Sequence, residues 1–258
     1  MQFFTITAKD NARIKRVLKL QKSAHLRREE GVFVLEGLRT VDDAAENEIE
    51  IKELYFTKQA FEKHPSYIKK FAQNSVFCAM ISDSVAKNIS DTTSTQGIFA
   101  VAKLPENKAQ IDKNKNYIAL ENLQDPSNLG AIARTAEALG IDAIIISGNS
   151  CDPFSPKSIR ASMGTLLRVP LIFTDHMAEF IKKLDIPTFA CVVDRDAQSL
   201  NEVDFTGGAV CIIGNEANGL TEETVKASTK SITITMKGRA ESLNAAAAAA
   251  IVMWEMVK

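Results

Sequence analysis

Apolar runs rich in β-branched residues alternate with amphipathic stretches along the whole chain, which points to an α/β architecture rather than separate helical or sheet layers. In the first third, Val32 to Leu35, Ile51 to Phe56, Val76 to Ala79 and Ile98 to Ala102 read as strands. Helical periodicity covers Ala12 to Leu26, Leu38 to Glu46, Gln59 to Gln73 with an interruption near Pro65, and Asp83 to Ile89. These elements suffice for a small α/β unit.

The stretch LPENKAQIDKNKN is polar, charged and carries Pro105, so the domain boundary is expected there, with an N-terminal domain over 1–104, a linker over 105–116 and a second domain over 117–258. Beyond it the alternation becomes more regular. Strands are expected at Tyr117 to Leu120, Ala143 to Ser147, Leu171 to Phe173, Thr188 to Val193, Ala209 to Ile213 and Ile232 to Thr235. Between and after them, Asn128 to Leu139, Ser158 to Leu167, Met177 to Leu184, Thr221 to Ala227 and Leu243 to Val257 read as helices. Such alternation implies a mostly parallel sheet covered on both faces.

A chain of 258 residues is long for one domain, which fits the division. The longest uncharged run, Ser242 to Trp254, is alanine-rich and too short to span a membrane, so it reads as a buried helix. At the N-terminus the apolar residues precede the basic ones, the reverse of a secretory signal, and a cytoplasmic location is expected. Cys78, Cys151, Cys191 and Cys211 show no metal-ligand spacing and read as free, mostly buried thiols. Net charge is only −1, but it is unevenly distributed: up to residue 110 there are 17 basic and 14 acidic residues, and beyond it 14 and 18. Lys9, Arg13, Lys15, Arg16, Lys19, Lys22, Arg27 and Arg28 face a single acid, Asp10, in one short stretch. This strip suits phosphate contacts; a solvated helix face is the alternative.

Three segments sit where strands run into helices, the place at which open parallel sheets bind ligands. In LENLQDPSNLGAIARTAEALG a turn on Asp125 and Pro126 leads into a helix with an apolar stripe, closed by Gly140, and Arg134 lies off that stripe. Arg134 is either paired with Glu137 or solvated, or it presents a guanidinium fork to phosphate or ribose oxygens. In AVCIIGNEANGLTEE a buried strand enters a Gly-rich loop that superficially matches a phosphate loop. Leu220 replaces the required lysine, and Glu216 would repel a phosphate, so a nucleoside triphosphate site is excluded. The loop fits a ligand with hydroxyls, an amine or a positive centre, or else a tight turn that needs Gly214 and Gly219. In MKGRAESLNAAAAAAIVMWEM, Ser242 is the expected N-cap, Asn244 adds a donor and acceptor, and the small residues permit close approach of another backbone or a flat ligand.

Together and in this order, NLQDPSNLGAIARTA, IIGNEANGL and ITMKGRAESLNAAAAAAI resemble the SpoU family of RNA 2'-O-ribose methyltransferases, within the SPOUT superfamily, over Tyr117 to Val257. GVFVLEGLRTVDDAAE and SDTTSTQGIFAV look like the RNA substrate-binding domain that accompanies members acting on ribosomal RNA. Ala245 departs from the valine that often follows Ser-Leu-Asn in the family. The resemblance implies a trefoil-knotted second domain, a homodimer, and transfer of a methyl group from S-adenosylmethionine to a ribose 2'-hydroxyl of RNA, ribosomal RNA first and transfer RNA as the alternative. It places the cofactor on Gly214, Ile234 and Leu243, with Ile213 and Met236 as further apolar walls, and no metal. The catalytic arginine falls on Arg134, accompanied by Asn128, Glu216, Ser242 and Asn244. Arg13, Lys15, Arg16, Lys19, Arg27 and Arg28 are the expected RNA contacts.

A guanidinium stays protonated in proteins, so Arg134 is expected to orient the acceptor and stabilise charge rather than act as base. His25, His64 and His176 all lie outside the three segments, and no histidine base is evident. A dinucleotide-dependent oxidoreductase would need GxGxxG after a strand, which is lacking. A non-catalytic RNA-binding relative would be expected to lose Arg134 or Ser242-Leu243-Asn244, and these are intact.

Overall fold

The structure, a computed structural model, describes residues 3–106 and 109–258. Met1 and Gln2 of the N-terminal run, and Asn107 and Lys108 of the expected linker, lie outside the described residues. The chain forms two compact units, one of Met1–Glu106 with Asp152–Leu167 and one of Asn107–Cys151 with Arg168–Lys258. The segment Asp152–Leu167, which sequence alone assigns to the second region, thus packs with the first.

The first unit begins with β1 (Phe4–Ile6), α1 (Ala12–Lys22), α2 (Ala24–Glu30), β2 (Val32–Glu36), α3 (Leu38–Glu46) and β3 (Ile51–Thr57). It continues through α4 (Lys58–Lys63), α5 (Pro65–Asn74), β4 (Phe77–Ile81), α6 (Asp83–Ile89) and β5 (Ile98–Lys103). The single helix expected over Ala12 to Leu26 is two. Ser23 takes an extended conformation, accepts from Leu26 N through its side chain and donates its own N–H to Lys19 O, so one residue ends α1 and starts α2. Pro65 likewise starts α5, having no N–H to lose at a first helical position. The sheet order is β1-β4-β3-β5-β2, with β1, β4 and β3 parallel and β5 antiparallel to both its neighbours. Ile14, Val17 and Leu20 of α1 and Val85, Ala86 and Ile89 of α6 pack with Tyr55, Phe99 and Val101 of the strands into one core.

Along the rest of the chain run β6 (Asn116–Leu120), α7 (Pro126–Leu139), β7 (Ala143–Ser147), α8 (Pro156–Ala161), β8 (Leu171–Thr174) and α9 (Met177–Ile181). Then come β9 (Thr188–Cys191), β10 (Gln198–Ser199), β11 (Ala209–Ile213), α10 (Glu222–Ala227), β12 (Lys230–Thr233) and α11 (Ala245–Val257). The helix expected over Ser158 to Leu167 is shorter: α8 ends at Ala161, and a 3-10 turn follows at Thr165–Leu167.

The second unit holds a seven-stranded sheet, all parallel, in the order β10-β12-β9-β11-β6-β7-β8. β11 is wholly buried and β6 is buried from Tyr117 on, which explains their unbroken apolar sequences. From β6 the chain steps outward to β7 and β8 on one side; β11 and β9 continue on the other. The strand order therefore reverses between β6 and β11, the kind of position near which open parallel sheets bind ligands. α11 packs on α7, β11 and β6, with Ala245, Ala249, Val252, Met253 and Met256 facing inward. No helix among the described residues is long and apolar enough to cross a membrane.

Candidate functional site

At the end of β6 the chain turns through Glu121 and Asn122. Glu121 is buried, and its carboxylate accepts from Thr221 N at 2.8 Å, Thr221 Oγ1 at 3.0 Å and Thr224 Oγ1 at 2.5 Å, fastening the first turn of α10. Asn122 adopts a left-handed conformation, φ 56°, and its carbonyl accepts from Asn215 Nδ2 at 2.8 Å. Asp125 then caps α7 by accepting from Ser127 N, with Pro126 at the first helical position. The sequence reading missed Glu121; a carboxylate directly after an otherwise apolar buried strand was the available signal.

The loop after β11 folds back on itself. Asn215 and Gly219 exchange two backbone hydrogen bonds of 2.9 Å, while Asn215 Oδ1 accepts from the N–H groups of Ala217 and Asn218. A Cβ on Gly214 would stand 2.2 Å from Gly219 C and 2.4 Å from Leu220 N, so only glycine lets the loop close there. Gly219 is required for a different reason, its φ of +67°. The tight-turn reading and the ligand-loop reading of these glycines are thus compatible.

Glu216 projects from this loop toward the start of α7. Its carboxylate accepts from Asn128 Nδ2 at 2.9 Å and from the backbone N–H groups of Gln124 and Asp125, each at 3.2 Å. Partial burial pushes its pKa up, but these donors outweigh that and hold the carboxyl below its ordinary range. Asn128, itself buried, accepts at Oδ1 from Asn244 Nδ2 at 3.0 Å. Asn244 Oδ1 in turn accepts from Ala246 N and Ala247 N, which makes Asn244 the N-cap of α11. The expected cap, Ser242, lies two residues too early; a side chain caps only when the N–H groups two or three residues on begin the helix.

A cavity of about 500 Å³ opens beside the loop. All five residues expected to hold the cofactor, Ile213, Gly214, Ile234, Met236 and Leu243, line it, with Glu216 and Ser242 at its polar side and Val252 and Ala248 of α11 behind. Asn128 and Asn244 support Glu216 from outside the lining. Arg134 does not line the cavity. It is exposed on α7 and makes no hydrogen bond or ion pair among the described residues. Its expected alternative partner, Glu137, is taken by Arg168 through bonds of 2.5 and 3.0 Å, which lower the Glu137 pKa.

Three of the eight cations of the basic strip are engaged by acids of their own unit. Arg27 is 3% exposed: its guanidinium donates to Asp152 Oδ2 and to the carbonyls of Leu20 and Gln21. Its assignment as an RNA contact is therefore corrected, since its donors face inward. Arg13 bonds Glu53 at 2.8 Å and lies 3.8 Å over the Phe77 ring; Arg16 pairs with Glu30 and Glu53. Lys15, Lys19 and Arg28 stay exposed. No group of three or more His, Cys, Asp or Glu side chains among the described residues is arranged to hold a metal ion.

Residues 115–254 match the SpoU rRNA Methylase family. This chain belongs to that family. Residues 11–100 match the MRM3-like substrate binding domain. The chain is similar to 23S rRNA (guanosine(2553)-2'-O)-methyltransferase RlmP of Bacillus subtilis, with 25% identity across 91% of this chain and 93% of that protein. An uncharacterized tRNA/rRNA methyltransferase of Synechocystis is 28% identical over 97% of this chain and 92% of its own length. Among solved structures, an AdoMet-bound rRNA methyltransferase from Sinorhizobium meliloti superposes with a TM-score of 0.86 at 26% identity, covering 99% of this chain and 98% of that one.

Proposed function

We propose that the protein transfers a methyl group from S-adenosylmethionine to a ribose 2'-hydroxyl of ribosomal RNA. The observation that carries this reading is the cavity at the carboxyl ends of β9, β11 and β12, whose lining brings together residues from the second and third sequence motifs around the Gly214 loop. The residues fit the cofactor. Ile213, Ile234, Met236 and Leu243 offer apolar walls to a purine, and backbone groups of the loop, which the bare Gly214 Cα lets close against Gly219 and Leu220, offer hydrogen bonds. When bound, the cofactor supplies an electrophilic methyl group on a sulfonium sulfur.

The protein's own contribution is alignment and electrostatics. Glu216 stays ionised at neutral pH and, braced by Asn128, puts a fixed negative charge at the mouth of the site, favourable to a cationic ligand. Ser242 offers a hydroxyl on the same wall. Arg134, without a partner among the described residues, supplies a guanidinium fork for phosphate or ribose oxygens.

Since Arg134 stands outside its own chain's cavity, the reading includes a homodimer in which each cavity is completed by the partner. Ile251 at 40%, Trp254 at 58% and Val257 at 39% exposure form an apolar stripe on the outer side of α11, which supports that association. The trefoil-knotted path of the second unit and a cytoplasmic location complete the proposal, supported by membership of the family and by the bacterial relatives that act on ribosomal RNA.

Ribose-methylation mapping of ribosomal RNA from cells with and without the gene tests the reaction. One 2'-O-methyl mark should vanish with the gene and return when purified protein and S-adenosylmethionine are added to the unmodified RNA. An unchanged map with no transfer in vitro overturns it.

A further inference from the structure

The first unit holds a second large cavity, about 1,100 Å³, bounded by the start of α3, the α4–α5 junction, α6 and the loop Ser90–Gly97. That exceeds the range of about 300–1,000 Å³ usual for small-ligand pockets and suits an extended polymer. Three cations, Arg39, Lys63 and Lys87, line it against one acid, Asp83, an excess of two positive charges among these four. None of the three has an ion-pair partner among the described residues; in the N-terminal strip Arg13, Arg16 and Arg27 are paired, while Lys9, Lys15, Lys19, Lys22 and Arg28 are exposed.

The loop Ser90–Gly97 adds a fixed set of hydroxyls to the same lining. Glu36, at the end of β2, accepts from Ser90 Oγ at 2.6 Å, Asp91 N at 3.0 Å and Thr92 Oγ1 at 3.1 Å, which anchors the start of the loop. At its other end Gln96 Oε1 accepts from Leu38 N at 2.9 Å, and Gly97, φ +69°, packs so closely on Thr57 that an added Cβ would come within 2.4 Å of Thr57 Oγ1. Between these two anchors Thr93, Ser94 and Thr95 carry donors and acceptors along the cavity edge. Hydroxyls and three cations without an ion-pair partner among the described residues, lining one cavity, match the 2'-hydroxyls and phosphates of an RNA backbone.

We propose that this cleft, rather than the Lys9–Arg28 strip, grips the sugar-phosphate backbone of a single-stranded RNA segment of the substrate. The assignment rests on the RNA-methylating reading above and adds which surface holds the RNA. The half-buried ring of His64 can stack on one base; the other contacts are with backbone, so the grip is indifferent to sequence.

The test is filter binding of unmodified large-subunit ribosomal RNA transcript across a potassium chloride series, with the triple variant Arg39→Gln, Lys63→Gln, Lys87→Gln and, beside it, Lys15→Gln, Lys19→Gln, Lys22→Gln. Each phosphate contact on a single strand contributes about 0.7 to the slope of log K against log salt, so the cleft variant should lose about 2 from that slope. Its KM for RNA should rise by at least about tenfold, with its melting temperature and affinity for S-adenosylmethionine unchanged. A slope that stays at the wild-type value in the cleft variant, or a larger loss in the strip variant, overturns the proposal. The two readings fail separately. Tight binding with a reduced cleft-variant slope but no methyl transfer by the wild type sinks the reaction and keeps the cleft; transfer with an unchanged slope does the reverse.

Discussion

Gly214→Ala and Gly219→Ala change neighbouring positions of one loop for different physical reasons, and the difference can be measured. At Gly214 the new methyl group would lie 2.2 Å from Gly219 C, so reaching an ordinary contact of 3.4 Å requires a backbone shift of about 1.2 Å, the difference of the two. Overpacking of this kind costs about 1–3 kcal/mol. Opening the loop also strains the paired Asn215–Gly219 hydrogen bonds, each worth about 1 kcal/mol. If about 3 kcal/mol of that comes out of cofactor binding, affinity for S-adenosylmethionine falls roughly a hundredfold, at 1.4 kcal/mol per tenfold. Gly219→Ala meets no atom within 4 Å and suffers only the left-handed backbone penalty, about 1–2 kcal/mol, so its loss should be clearly smaller. Calorimetric titration with S-adenosylmethionine, paired with thermal unfolding of each variant, reads both effects. A Gly214→Ala protein with wild-type affinity and wild-type melting temperature, or one less damaged than Gly219→Ala, refutes the close-approach argument.

Arg134→Ala removes an exposed side chain with no partner among the described residues, so stability should stay within about 0.5 kcal/mol and cofactor affinity within twofold while the methylation rate falls at least a hundredfold; equal losses in binding and rate would contradict a role confined to the transition state. Asn244→Ala deletes the cap of α11 and the bond to Asn128, and should lower stability by about 1–2 kcal/mol in denaturant unfolding, whereas Ser242→Ala should leave it nearly unchanged. Because the folded-state pKa of Glu216 is depressed, its stabilisation is fully present above the unfolded value of about 4.3 and is lost as pH falls through the folded value below that. The melting-temperature gap between wild type and Glu216→Gln should therefore be level from pH 5 to 7 and close only on the acid side; a gap that narrows with rising pH would reverse the sign of the argument.

The apolar strands of the second unit were legible because β6 and β11 are buried on both faces and so carry unbroken runs of large apolar residues. β1 and β10 left no such trace, since strands of three and two residues are too short for any period to register. The residues around Gly214, Leu243 and Met236 could be marked as a group only because three motifs occur in order; their convergence on one cavity depends on sheet order, which no local pattern encodes. Arg27 shows the limit most clearly. In sequence it is one more cation in a basic strip, and its partner Asp152 lies 125 residues away. The cleft lined by Arg39, Lys63 and Lys87 was missed for the converse reason: these cations are scattered singly, and only folding brings them to one rim. The Ser242 cap failed by two residues, a spacing at which helix starts are poorly determined by composition.

The bonds from Ala246 and Ala247 through Asn244 and Asn128 to Glu216, and on to the amides of Gln124 and Asp125, form one thread joining the beginnings of α7 and α11 to the Gly214 loop. Each asparagine uses its carbonyl in one direction and its amide in the other, so the thread has a polarity and no link can flip without breaking two bonds. A ligand that immobilises Glu216 consequently slows the opening of α11, and a frayed α11 weakens the ligand by the same factor. At a hundred times its dissociation constant such a ligand adds about 2.7 kcal/mol to the native state. If α11 opens together with the loop, the amides of Ala246 and Ala247 would exchange with solvent deuterium about a hundredfold more slowly when the cavity is filled, so two backbone protons at the start of a helix would report occupancy of a pocket they do not touch.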